Sequence, residues 1–223
     1  MRLTFISDTH GHHDKVKLEG GDILFHSGDI SLRGRMSDTL SFFDWFARQP
    51  YTYKCFTAGN HDILFDSPYR DIVYRDKPTS IIYLENSGVS LQGINIWGSP
   101  MTPRFNNHAF NVDRGAAISE YWKQIPTGTD ILLTHGPAHQ VLDTNSLQEA
   151  AGCEELIKVF QNGQHDIKIH SFGHIHESRG VEKKHYGSNS TIHINASSMN
   201  QRLTTSYPPV NVDYNSLENP KWY

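Results

Sequence analysis

Cysteine is scarce in this 223-residue chain: Cys55 and Cys153 are its two examples, too few for a disulfide framework and not in Cys-x-x-Cys spacing. Both sit in apolar surroundings and are expected as buried, reduced thiols. No run of ~18 apolar residues occurs, which excludes a membrane-spanning helix. The opening stretch meets Asp8 too soon for a secretory hydrophobic region, so cytoplasmic residence is the expectation. Blocks of Lys and Arg are missing too, and the formal charge is -4, which argues against an extended nucleic-acid footprint. Low-complexity tracts, internal repeats and composition breaks are absent, and 37% hydrophobic content is ordinary for a globular chain, so residues 1–223 read as one domain.

What the chain has in excess is histidine, 14 of them. Spacing decides whether that matters. Alternation and β-branched content predict strands at 2–7, 22–26, 51–57, 130–134, 167–172, 191–195 and 210–213. Residues 80–84, 89–92 and 94–98 read as a meander of brief strands rather than a βαβ unit. Helical periodicity marks 36–47, with Met36, Leu40, Phe43 and Ala47 on one face, then 69–75 and 116–123. Residues 147–160 give the clearest helical pattern, with Leu147, Ala150, Cys153, Ile157 and Phe160 aligned. Residues 99–114 form a long loop of the kind that is usually functional, and 215–223 are expected to fray. The whole reads as α/β, two packed sheets with helices outside.

Polar residues fall in one place along this pattern. Asp8 and His10 follow the first strand, Asp29 the second, Asn60, His61 and Asp62 the third, His135 a later one, and His174 and His176 the run ending at Phe172. Residues two apart in an extended segment project to the same side, so His174 and His176 leave the backbone together. Carboxylates and imidazoles thus gather at the C-terminal ends of five β runs, where open α/β sheets place their ligand crevice. Gly21-Asp22 begins a strand instead of ending one and is set aside.

Two divalent ions about 3.5–4 Å apart need a shared anionic ligand, and a carboxylate can bridge where an imidazole cannot. Asp29 is the bridge, with Gly28 letting the backbone approach closely. Asp8, His10 and His176 complete one ion; Asn60, His135 and His174 complete the other. Oxygen and imidazole donors without thiolate suit two transition ions such as Mn, Fe, Zn or Ni, and are too nitrogen-rich for Mg or Ca. Water between the ions would become the nucleophile, and His61 is placed to protonate the departing oxygen with Asp62 holding its tautomer. In the long loop Arg104, Phe105, Asn106 and His108 are candidates for substrate contact, as is His139 beyond His135. His26 reads as a supporting residue inside a strand. His12, His13, His165, His170 and His185 read as solvent-facing, and Tyr51, Tyr53, Trp122 and Trp222 as exposed aromatics.

Taken in order over residues 8–176, Asp-x-His, Gly-Asp, Gly-Asn-His-Asp, His and Gly-His-x-His resemble the calcineurin-like metallophosphoesterases. The strings SDTH, GDILFHSGD, YKCFTAGNHD, GINIWGSPMTPRFNNHAFNVDRG, GTDILLTHGP and INASS are similar to the metallophosphoesterase-domain-containing subfamily, related to class III cyclic nucleotide phosphodiesterases. The resemblance implies a four-layer αββα sandwich, a dinuclear metal site and hydrolysis of small phosphodiesters, cyclic nucleotides among them, by a metal-bridging hydroxide. Some animal members have glycine where this chain has His174; this chain keeps the full ligand set. Two other readings stand beside it: a phosphomonoesterase, and a non-catalytic binding protein retaining the fold. Against the first, Asp29 is followed by Ile30-Ser31-Leu32-Arg33-Gly34, which lacks the Asp-Arg-Gly that the serine/threonine protein phosphatases carry soon after their Gly-Asp.

Overall fold

Strands that are apolar on both faces must be covered on both faces, and the protein meets that demand with four layers. A computed structural model describes residues 1–217. In chain order, β1 (Arg2–Ile6), β2 (Gly21–His26), α1 (Met36–Ala47), β3 (Tyr51–Phe56), α2 (Arg70–Asp76) and β4 (Ile82–Tyr83) come first. Next are β5 (Ser87–Leu91), β6 (Ile94–Ser99), β7 (Thr102–Pro103), β8 (Asn111–Val112), α3 (Ala116–Trp122) and β9 (Ile131–Thr134). The chain goes on through α4 (Glu154–Gln161), β10 (Ile169–Phe172), β11 (Gly180–Tyr186), β12 (Asn189–Asn195) and β13 (Val210–Asp213). One sheet has the order β13-β1-β2-β3-β4 and the other β11-β12-β10-β9-β6-β5, while β7 and β8 pair apart from both.

Alternation along each strand sorts side chains between two cores. Leu3, Phe5, Ile23, Phe25, Ile96, Ile131, Leu133, Ile169, Ile192 and Ile194 meet between the sheets. Ile6, Leu24, Phe56, Leu132 and Phe172 face outward, where helices cover them. α1 lays Phe42 against Phe56, with ring centroids 5.8 Å apart, and α4 lays Phe160 against His170 at 5.1 Å. This is the αββα sandwich. β1, β2 and β3 run parallel, as do β6, β9, β10 and β12, so their C-terminal ends come out on one rim in each sheet.

Several local expectations need correction. α1 buries Thr39, Phe42, Phe43 and Phe46 and leaves Leu40 exposed, because three phenylalanines outweigh one leucine in apolar area and rotate the helix. The helix over 147–160 begins only at Glu154. Upstream, Asp143 accepts from the amides of Gln140 (2.9 Å) and Gly152 (3.0 Å), and Asn145 accepts from those of Leu147 (2.9 Å) and Glu149 (3.0 Å). Such side-chain bonds give the backbone an alternative to helix. The meander is split: β4 pairs parallel with β3, whereas β5 and β6 form a hairpin in the other sheet. β11, a charged edge strand, was not foreseen, since Lys and Glu weaken a strand signal where an edge needs them. His13, His165, His170, Tyr51 and Trp122 are buried, not solvent-facing. Residues 214–216 form a short 3-10 turn capped by Asp213; the rest of the expected frayed end, 218–223 with Trp222, lies outside the described residues.

Candidate metal centre

Four of the seven proposed ligands, Asp8, His10, Asp29 and His174, sit at positive φ between 46 and 67°. Left-handed backbone is uncommon for residues with a side chain and is held only where surroundings enforce it. Here neighbouring loop backbones do so: the Asp8 amide donates to the Gly28 carbonyl at 2.9 Å, and that of His10 to the Asp29 carbonyl at 3.0 Å. Three glycines supply space. A Cβ on Gly28 would lie 2.5 Å from His135 Nδ1, one on Gly59 would strike Asp29, and one on Gly173 would strike Asp8. Gly28 has a φ of 104° and also needs its conformational freedom. Gly173 makes the hollow in which the Asp8 carboxylate lies.

The donor atoms converge. His10 Nδ1 donates to the Ser31 carbonyl (3.3 Å) and His135 Nδ1 to the Ser27 carbonyl (2.9 Å), which leaves Nε2 of each ring, when neutral, with a bare lone pair. His10 Nε2 then lies 3.2 Å from His176 Nε2 and 3.7 Å from Asp29 Oδ2, while His176 Nε2 lies 3.4 Å from Asp8 Oδ1. His135 Nε2 lies 2.8 Å from Asn60 Oδ1 and 3.4 Å from Asp29 Oδ2. Asp29 gives Oδ1 to the His61 amide at 2.8 Å, so Oδ2 alone faces both imidazoles. Acceptors packed this closely must share either protons or a metal cation. Asp8, His10 and His176 form one candidate triad and Asp8, Asp29 and His135 a second. His174 belongs to neither triad; its ring stands edge-on to His135 with centroids 5.0 Å apart.

Electrostatics agree with the geometry. Burial lowers the pKa of His135 and His176, yet the carboxylates of Asp29 beside the first and Asp8 beside the second raise both to about 9. Burial raises Asp8, but His176 holds its carboxyl well below the usual range; Asp29 is held down against burial by His135. His174, with burial and then His135 against its charged form, falls to about 3 and stays a neutral donor. Such paired shifts mark a place built for positive charge.

Around these atoms lies a cavity of about 560 Å³, walled by His10, His61, His174 and His176 on the rim and by Arg104 and Phe105 from the long loop. His61 directs Nδ1 to the Leu32 carbonyl at 2.8 Å, leaving Nε2 for chemistry. Asp62 does not orient that ring, contrary to expectation: it accepts from the amides of Ile30 (3.2 Å), Ser31 (2.9 Å) and Gly59 (2.8 Å), and so ties two ligand loops together. His108 lies outside the lining but touches Asn60 Nδ2 through Nδ1 at 3.2 Å, which turns Asn60 Oδ1 toward His135. Asn106 offers its carbonyl to Asn111 and His139 approaches Asp143 at 3.7 Å; neither lines the cavity. Sequence reasoning missed Ser197, whose hydroxyl lies 2.9 Å from Asp8 Oδ2, and the carbonyls of Ser27, Ser31 and Leu32 that fix three imidazoles. Ser197 was visible only inside the string INASS; carbonyls leave no trace in a sequence.

Sandwiched sheets that bring imidazoles and carboxylates to a common rim make a candidate metal centre, and the family match gives its class, a metal-dependent phosphoesterase. The chain belongs to the calcineurin-like phosphoesterase family, whose description matches residues 1–178. It is 37% identical, over 94% of its own length and 68% of the relative's, to metallophosphoesterase domain-containing protein 1 of Homo sapiens. To UPF0046 protein K07C11.7 of Caenorhabditis elegans it is 31% identical, over 90% of this chain and 71% of that protein. A solved structure overlays all of this chain and 97% of its own with a TM-score of 0.63 at 13% identity, a likeness of fold. Residues 180–213, with β11 to β13 and Ser197, lie beyond the family match and still complete the surroundings of Asp8.

Proposed function

We propose that the protein is a phosphodiesterase that uses two divalent transition ions to hydrolyse small phosphodiesters, cyclic nucleotides among them. The position of Asp29 Oδ2, 3.7 Å from His10 Nε2 and 3.4 Å from His135 Nε2, carries this reading, because one carboxylate oxygen shared by two imidazole sets fits a metal pair. Asp8, His10 and His176 would hold one ion, Asn60, His135 and His174 the other, and Asp29 both. When bound, such ions supply Lewis acidity and an activated water. His61, tethered through Nδ1, would protonate the departing ester oxygen when its ring carries a second proton on Nε2, ending neutral, and Asp62 keeps the loops of Asp29 and Asn60 in register. The two free, buried cysteines support a reducing compartment, the cytoplasm.

Preference for a diester over a monoester rests on charge. Both arginines lining the cavity are engaged: Arg104 with Asp113, and Arg114 with Glu154 and the carbonyls of Ala151 and Gly152. A monoester dianion would compete with Asp113 for Arg104 and with Glu154 and two carbonyls for Arg114, whereas a diester carries one charge fewer and brings a second organic group. Phe105, Leu147 and Leu203 give that group apolar walls. Protein loaded with Mn²⁺ should hydrolyse bis(p-nitrophenyl) phosphate well ahead of p-nitrophenyl phosphate. Preference for the monoester reverses the assignment, and loss of neither activity in Asp29→Ala removes its basis. If Mn²⁺ binds and no phosphoester in a panel of cyclic nucleotides, dinucleotides and monoesters is cleaved, the protein is a binding module.

A further inference from the structure

Four polar side chains outside the metal centre line up across four adjacent strands of the second sheet. Thr134 stands at the end of β9, His170 in β10, His193 in β12 and Tyr186 at the end of β11. His170 and His193 are direct partners in the parallel register of β10 with β12. Thr134, His170 and His193 are fully buried under Phe160 of α4, whose ring lies 5.1 Å from His170 and 4.9 Å from His193. A core that could have used leucine there spends four polar groups. Yet none of their relevant atoms lacks a partner.

The partners impose a direction. Thr134 Oγ1 is 2.6 Å from the Gly136 carbonyl, which can only accept, so the single hydroxyl proton points there. The 2.8 Å contact between Thr134 Oγ1 and His170 Nε2 must then be donated by Nε2–H. A neutral His170 protonated on Nε2 has a bare Nδ1, so the 3.1 Å contact with His193 Nδ1 is donated by His193. His193 is left with a bare Nε2, which accepts from the Tyr186 hydroxyl at 2.9 Å. Burial favours the neutral form of both rings. Every proton has one allowed place, and four donations run head to tail from Tyr186 to the Gly136 carbonyl. Aligned hydrogen bonds in a dry interior polarise and strengthen one another.

Thr134 and Gly136 flank His135. Its own carbonyl accepts from the Gly173 amide at 2.9 Å, and its ring from below is tied to Ser27. We infer that Thr134, His170, His193 and Tyr186 form a one-way hydrogen-bond chain that positions His135, by clamping the carbonyl of Gly136, the next residue along, at the wall of the cavity. They are positioning residues; none touches a ligand atom. The inference rests on the proposed role of His135, and its two parts are tested separately.

Long-range ¹H–¹⁵N imidazole spectra of uniformly labelled wild-type protein at neutral pH should show His170 as the Nε2–H tautomer and His193 as the Nδ1–H tautomer. Either ring in the opposite tautomer, or charged, overturns the chain. Thr134→Val removes the group that sets the direction, so both rings should lose their single tautomer, while Thr134→Ser keeps it. In calorimetric titration with Mn²⁺, Thr134→Val should bind about tenfold to a hundredfold more weakly than wild type, the usual cost of losing support behind a metal-binding imidazole, and Thr134→Ser should restore binding. Unchanged Mn²⁺ affinity in a folded Thr134→Val overturns the positioning role. Should Thr134→Val fail to fold, the wild-type tautomers still decide the chain, and Thr134→Ser must still bind as wild type does. Wild-type protein that binds no Mn²⁺ would instead remove the functional reading and leave the tautomers to be judged alone.

Discussion

Replacing Gly173 by alanine adds one methyl group, and the structure says where it goes: 1.8 Å from Asp8 Oδ2 and 2.3 Å from Ser7 Oγ. Ordinary carbon–oxygen contact is about 3.4 Å or more, so the carboxylate must retreat by roughly 1.5 Å. It has nowhere to go without loss. Asp8 accepts from the His174 amide at 3.0 and 3.1 Å and from Ser197 at 2.9 Å, and lies 3.4 Å from His176. Breaking one hydrogen bond to a buried charge costs about 1.5–3 kcal/mol, and displacing a reacting group by ~1 Å can cost about a hundredfold in rate. Gly173→Ala is thus expected to bind Mn²⁺ at least tenfold more weakly and to hydrolyse bis(p-nitrophenyl) phosphate about a hundredfold more slowly. Gly128→Ala is the control, since nothing lies within 4 Å of its added methyl. Metal titration and initial rates on both variants decide it. If Gly173→Ala binds Mn²⁺ and turns over like Gly128→Ala, Asp8 is not a ligand held in that hollow.

Three further outcomes follow from the same contacts. His61→Ala should retain Mn²⁺ stoichiometry while kcat falls about 10²–10⁴-fold, the range for loss of a general acid; equal loss of metal would make His61 a ligand instead. Ser197→Ala strips Asp8 of a donor at 2.9 Å and should weaken Mn²⁺ binding about tenfold with turnover restored at high Mn²⁺; an unaltered titration would refute that support. Acid should destabilise the fold through buried neutral histidines: burial pushes His26, His174 and His193 down to about 3 and His170 well below its usual value. Each has a folded pKa below its unfolded ~6.5, so this stability is complete above that pH and drains away as pH falls toward 3, by about 1 kcal/mol per residue between 6.5 and 5.5. Urea unfolding of chelator-treated protein should lose about 3 kcal/mol over that step; a flat profile would contradict the buried neutral state. His135 and His176, at about 9 when folded, gain protons only in the unfolded state over this step and offset roughly 0.7 kcal/mol of the loss between them.

Layer order and ligand placement could be read from the chain because both repeat. Each inner strand announces itself with alternate apolar residues, and each candidate donor follows at a strand end, so the strand assignment carried the placement of the candidates with it. What failed to show were features set by distant partners. Leu147 and Ala150 lie at helical spacing, yet Asp143 and Asn145 capture the amides a helix would need. Leu40 matched the pattern of α1, yet Phe42 and Phe46 won the buried face. Periodicity records which face is apolar; it does not weigh one side chain against another.

Histidine shows the same limit in sharper form. A count of 14 drew attention to a metal, and five of them do converge on one rim. His170 and His193 share the residue type and also lie in strands, but they face α4 and hydrogen-bond to each other. Whether an imidazole ligates or relays depends on what its other nitrogen meets. For His10 and His135 that is a backbone carbonyl, which frees Nε2 for a cation; for His170 it is a hydroxyl already committed to Gly136, which fixes a proton on Nε2 and forbids one. The deciding atoms are carbonyl oxygens and one threonine hydroxyl, contributed by residues whose names say nothing about metals. That is why the convergence of candidate donors was legible in the sequence while the groups that orient them became visible only in three dimensions.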